Sequence, residues 1–300
     1  MAHAHAHHHH HTVASEAQRG PLLAALALIV GLMVAEVVAG AIAGSVALLT
    51  DAAHMLTDAA ALGLSLVALR LAARPPGGVM TYGLKRVEPL SAAINGAVLG
   101  ALAVVFCVTA IDRLINPRDV TGGIVLVMAL VAIPVNLLAT WILSRPADRS
   151  INVEGAFQHL LTDLYAFVAT AIAGLIILTT GFNRADPIAA LLVAGLMARA
   201  CYVLLRDAGR IFLEAAPRGI DPDAVGNALA RAPGVVSVHD LHVWELTSDF
   251  PALSAHVVVG TDEDCHEARA RLERLLRDDF EIDHTTLQVE HEPRRLLRIE

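Results

Sequence analysis

Thr50-Asp51-Ala52-Ala53-His54-Met55-Leu56-Thr57-Asp58 is the stretch that decides the fold. It holds two carboxylates and an imidazole between apolar flanks, Val46-Ala47-Leu48-Leu49 before it and Ala59 to Leu69 after it. The whole reads as one helix long enough to span a bilayer. At ~100° per residue, Asp51, His54 and Asp58 fall within an arc of roughly 60°. Ionisable groups are costly at membrane depth, so they face a polar cavity and mark function.

The pattern recurs about a hundred residues on, in Gln158-His159-Leu160-Leu161-Thr162-Asp163. His and Asp again stand four apart, one helical turn, and an apolar run from Ala166 to Leu178 follows. The two His-x-x-x-Asp pairs supply two imidazole nitrogens and two carboxylate oxygens. That is the donor set of a tetrahedral site, suited to Zn²⁺ and its neighbours. One such pair in a soluble helix would most often be hydrogen-bonded locally. Two matching pairs in two membrane spans point to a metal.

Of the 300 residues, 55% are hydrophobic, and the mean hydropathy is +0.57, the signature of a polytopic membrane protein. The spans are rich in Ala, Leu, Val and Gly, small enough for close helix packing. A net charge of -8 gives no footprint for nucleic acid. Cys107, Cys201 and Cys265 are scattered, so neither a disulfide framework nor a Cys-x-x-Cys metal site is expected. The His-rich start, His3 to His11, lacks the features of a signal peptide. It is either a weak native metal-binding tail or an expression tag, and it is assigned no fold.

Six spans are expected, over about 21–43, 46–72, 88–114, 123–143, 152–180 and 187–213. Lys and Arg concentrate in the loops on one side, which places both termini in the cytoplasm. After Pro217 the pattern becomes α-β-β-α-β: a short helix from Asp221, strands over 235–244 and 252–259, an amphipathic helix over 262–279 and a strand over 285–289. The expected domains are therefore a tail (1–19), a six-helix membrane domain (20–214) and a cytoplasmic α+β domain (215–300).

Three stretches carry a resemblance that covers nearly the whole chain: Ser45 to Met55, Glu154 to Asp163, and Val238-His239-Asp240-Leu241-His242-Val243-Trp244. The chain resembles the cation diffusion facilitator family, and within it the zinc transporters, which have His where His54 stands. The resemblance implies a homodimeric divalent-metal exporter of the plasma (inner) membrane, driven by proton exchange, with a ferredoxin-like cytoplasmic domain. It implies a transport site of His54, Asp58, His159 and Asp163, and Zn²⁺ as cargo and as a regulatory ligand. Its soluble-domain metal positions match His239 and His256, with His291 as the expected third; His242, His284 and Glu290 are further candidates. Strand alternation sets His239 and His242 on opposite faces. A family ion pair between the loop after span two and the end of span six maps onto Arg86 and Glu214.

One departure matters. Relatives carry a Gly-His-Gly-Lys-type loop after span two that binds a second metal; here Tyr82-Gly83-Leu84-Lys85-Arg86 has Leu84 in place of the His, so that site is dropped. Glu36 is a further intramembrane acid, either lining the outer cavity or bonded to a neighbour.

Metal ligands must shed protons to bind, so metal and proton compete for the same groups. Two carboxylates with neutral imidazoles also leave a zinc-loaded site near zero net charge. An intramembrane metalloprotease would need His-Glu-x-x-His in a span, and none exists. No enzyme is therefore expected. A membrane-anchored sensor without transport would not need the intramembrane pairs. Within transport, zinc alone and a broader zinc, cadmium and cobalt range both remain open.

Overall fold

The structure, a computed structural model, describes residues 16–72, 74–144, 151–247 and 250–292. The His tract lies outside these residues, as do Arg145 and Arg149 of one basic loop. Six long helices come first: α1 (Glu16–Ala43), α2 (Val46–Ala72), α3 (Val87–Ile115), α4 (Gly122–Ser144), α5 (Ile151–Thr180) and α6 (Ala185–Phe212). The shortest has 23 residues, about 35 Å at 1.5 Å per residue. In lipid a backbone must bond to itself, and a helix does so within one segment. Among the described residues four stretches are long and apolar enough to cross a membrane: Val87–Ile115, Gly122–Ile142, Asp163–Thr180 and Ala185–Phe212. The apolar parts described for α1 and α2, Ala27–Ala43 and Val46–Thr57, are shorter. α1 opens five residues before Pro21, the expected start, on the helix formers Glu16-Ala17-Gln18-Arg19.

The chain divides into two compact units, residues 1–62 with 98–201, and residues 63–97 with 202–300. The first has a core of small side chains, including Ala43, Ala47, Ala110, Ala173 and Ala190, with Leu48 and Val125 between them. Small residues let α4 and α5 approach closely. A Cβ on Gly174 would stand 2.6 Å from the backbone nitrogen of Leu126. Gly174→Val therefore forces the two helices apart. Overpacking of this kind costs about 1–3 kcal/mol, more than the few tenths that valine gains over glycine in helix propensity. A lowered thermal midpoint of the detergent-solubilised protein is the expected result; an unchanged midpoint would show that the crossing is looser than it stands here.

The start of α2 is fixed from α6. The Val46 amide donates to Asp186 Oδ2 at 2.8 Å and the Ser45 hydroxyl donates to Oδ1. A carboxylate at this end satisfies orphan amides and complements the helix dipole. Gly44, at φ 65°, turns the chain between α1 and α2, and the Arg113 guanidinium donates to its carbonyl. The residues on α2 that face the polar interior are thus held in depth and rotation by a buried acid.

The second unit ends in the expected α-β-β-α-β order: α7 (Pro222–Ala230), β1 (Val235–Glu245), β2 (Pro251–Val259), α8 (Cys265–Phe280) and β3 (His284–His291). The sheet order is β1-β2-β3, antiparallel then parallel. Val225 and Leu229 of α7 and Ala268, Leu272 and Leu276 of α8 cover one face, against Leu253, Val257, Val259 and Leu287. The other face carries the polar side chains of the strands. Asp221 and Asp264 cap α7 and α8, accepting from backbone amides. Glu281, in the left-handed region at φ 57°, ends α8.

Candidate metal centres

One set of buried polar groups in the first unit comes from four helices. Glu36 on α1, Asp51 and His54 on α2, Asn136 on α4, and Asp163 and Thr170 on α5 are all buried. His54 Nε2 lies 3.8 Å from Asp163 Oδ1, with the two side chains 6% and 7% exposed. The structure thus brings one member of each His-x-x-x-Asp pair together across α2 and α5. The side chains of Asp58 and His159 lie outside the described residues. Their helical positions, 58 on α2 and 159 on α5, are one turn from 54 and 163, about 6 Å along each axis.

Glu36 is wholly buried, and neither of its oxygens has a hydrogen-bond partner among the described residues. It stands near enough to Asp51 and Asp163 for their charges to act on it. Of the two readings open in the sequence, lining the outer cavity or bonding to a neighbour, the second finds no hydrogen bond among the described residues. Asn136 on α4 and Thr170 on α5 lie in apolar runs, carry no periodic signal of their own, and are buried as well.

The second cluster is on the open face of the C-terminal sheet. His239 on β1 is paired in register with His256 on β2, and their ring centroids are 5.3 Å apart. Glu290 on β3 joins them: one ligand atom from each of the three lies within 4.8 Å of the others. The expected third member, His291, is not in this group. Leu287 and Val289 pack into the core, so alternation along β3 puts Glu290 on the open face and His291 on the other. His291 meets Cys265 instead.

The expected separation of His239 and His242 also fails, for a local reason. His239 pairs with His256 but His242 pairs with Ser254, so β1 holds one extra residue. The bulge is at Asp240, which takes φ 54°. It cancels one step of alternation and returns His242 to the face of His239. There the Asp240 carboxylate contacts His242 Nε2 at 3.1 Å and comes within 4.0 Å of His256 Nε2. His242 is thus held by a carboxylate neighbour.

His284 lies at the opposite end of β3, against Tyr82 and Phe250, whose ring centroids are 5.7 and 5.6 Å from its own. Lys85 lies over the Phe250 ring. The Thr247 hydroxyl donates to Glu88, and Arg86 Nη2 lies 2.8 Å from Glu214 Oε1. The loop that lacks the metal-binding histidine is thus held by rings and charges. The Arg86–Glu214 side chains are 44% and 61% exposed, and such pairs contribute about 0–1 kcal/mol. Arg86→Ala should therefore shift the thermal midpoint by no more than a degree or two; a much larger fall would mean the pair is shielded from solvent in the assembled protein.

Two helices that each carry a His-x-x-x-Asp pair, followed in the chain by a C-terminal α+β domain, define a class. A family model for the cation efflux transmembrane domain matches residues 22–213, and one for the cation efflux protein cytoplasmic domain matches residues 217–292. The chain belongs to the cation efflux family, the cation diffusion facilitators. It is 37% identical to the zinc transporter ZitB of Escherichia coli over 91% of this chain and 87% of that protein. It is 34% identical to the cadmium, cobalt and zinc/H(+)-K(+) antiporter of Bacillus subtilis over 92% of this chain and 90% of that one. The metal cation efflux system protein CzcD of Cupriavidus metallidurans is 36% identical over 90% and 85%. A solved structure, the metal-bound C-terminal domain of the CzcD transporter from the same species, is 39% identical, covers 24% of this chain and 99% of its own, and has a TM-score of 0.23.

Proposed function

We propose that this protein exports Zn²⁺ from the cytoplasm in exchange for protons, with His54, Asp58, His159 and Asp163 as the cargo site. The observation that supports this most is the buried approach of His54 to Asp163, 3.8 Å across two helices. Donors two to a helix can enclose one ion when the helices close and release it when they part. Neutral imidazole and ionised carboxylate bind the metal; the same groups accept protons once it has left. The relatives' names, zinc transporter and zinc/H(+)-K(+) antiporter, agree in cargo and coupling ion.

On this reading the protein is a homodimeric transporter of a bacterial inner membrane, has no catalytic residues, and keeps both termini in the cytoplasm. The His239, His256 and Glu290 cluster is a regulatory zinc site. Its mixed nitrogen and oxygen donors suit zinc. The test is zinc uptake into proteoliposomes with and without an imposed pH gradient. Uptake should rise with the gradient and collapse when an ionophore dissipates it; gradient-independent uptake would remove proton exchange from the account. Deleting His3 to His11 should leave maximal uptake unchanged, because all four cargo ligands lie on α2 and α5. Loss of uptake in a well-expressed deletion would contradict this.

A further inference from the structure

His291 has left the expected cluster for a different neighbour. Cys265 is the first residue of α8, and its Sγ lies 3.6 Å from Nε2 and 3.8 Å from Nδ1 of His291. His291 Nε2 is also 2.8 Å from the carbonyl oxygen of Glu263. A ring nitrogen that close to a carbonyl is the N–H donor, so the neutral ring keeps its lone pair on Nδ1. A backbone carbonyl holding one ring nitrogen while the other takes a metal is the usual setting of a metal-binding histidine. With Zn–S about 2.3 Å and Zn–N about 2.0 Å, a tetrahedral ion separates sulfur from nitrogen by about 3.6 Å. The Sγ to Nδ1 distance of 3.8 Å is close to that value, and the His291 side chain is exposed.

Cys265 stands in the first turn of α8, where backbone amides have no partner within the helix. Asp264 beside it caps the helix, accepting from the Glu267 and His266 amides. Glu290 and His291 are consecutive on β3, so this pair and the His239 cluster lie on opposite faces of one sheet.

We infer that Cys265 and His291 form a second metal site in the C-terminal domain, which takes a thiophilic divalent cation, Zn²⁺ or Cd²⁺, and completes its shell with water. It goes beyond the transport reading and stands whether or not the intramembrane ligands are as proposed. A thiolate ligand selects such ions over Mn²⁺ or Mg²⁺, which prefer oxygen.

The experiment is a cadmium titration of the full-length protein in detergent, read by thiolate-to-cadmium charge-transfer absorption. Imidazole and carboxylate sites do not contribute to that signal, so the His tract does not obscure it. The band should persist in a Cys107→Ser/Cys201→Ser variant and in His239→Ala, and vanish in Cys265→Ser. His291→Ala removes an exposed side chain, so the fold survives. It should weaken cadmium binding at Cys265 by about tenfold or more, since loss of even an outer-shell partner costs about 10–100-fold. A band that persists in Cys265→Ser, or a His291→Ala titration that overlays the wild type, would overturn the site.

Discussion

Asp163→Asn will abolish zinc flux while the protein still folds. The substitution keeps the shape of the side chain and removes its charge, 3.8 Å from His54 in a site sealed from solvent. A zinc ion with two carboxylates and two neutral imidazoles is electrically neutral; with one carboxylate it carries a net positive charge in a low-dielectric bundle. Breaking a buried charge pairing costs about 3–5 kcal/mol, a hundredfold or more in affinity. Asp58→Asn should behave alike, because position 58 is one turn from His54 on α2. Proteoliposome uptake is the measurement, with the thermal midpoint as the control for folding. Zinc uptake within about tenfold of wild type, in either variant, would remove that residue from the cargo site.

His54→Asp will change which metal is carried. The donor set goes from two nitrogens and two oxygens to one nitrogen and three carboxylates. Zn²⁺ accepts mixed tetrahedra, whereas harder Mn²⁺ favours oxygen donors and higher coordination, and a carboxylate can bind it with both oxygens. Manganese and the larger Cd²⁺ should gain on zinc. The ratios of zinc to cadmium and zinc to manganese uptake read this effect. Unchanged ratios would mean that His54 does not touch the cargo.

The membrane half was legible because its signals are local and periodic. Apolar runs of bilayer length mark the helices, and the four-residue His/Asp spacing puts both members on one face wherever the helix ends fall. The C-terminal domain was legible in element order but not in the placement of its histidines. A strand has a period of two, so one extra residue reverses every side chain beyond it. The bulge at Asp240 did this to His242, and nothing in Val238-His239-Asp240-Leu241-His242 announces it. His291 was misplaced for a similar reason. Whether it or Glu290 faces His239 depends on the register of β3 against β2, which long-range pairing sets. The hold of Asp186 on Ser45 and Val46 joins residues 140 positions apart, beyond any local pattern.

On the proposed reading, one zinc ion sits between α2 and α5 with His54 and Asp163 in its coordination shell. Anomalous diffraction at the zinc edge, on crystals of the tail-deleted protein with bound zinc, tests this directly. A peak is expected between the two helices, about 2.0–2.2 Å from a nitrogen of His54 and an oxygen of Asp163. Zinc peaks confined to the C-terminal domain, in a protein that still transports zinc, would contradict it.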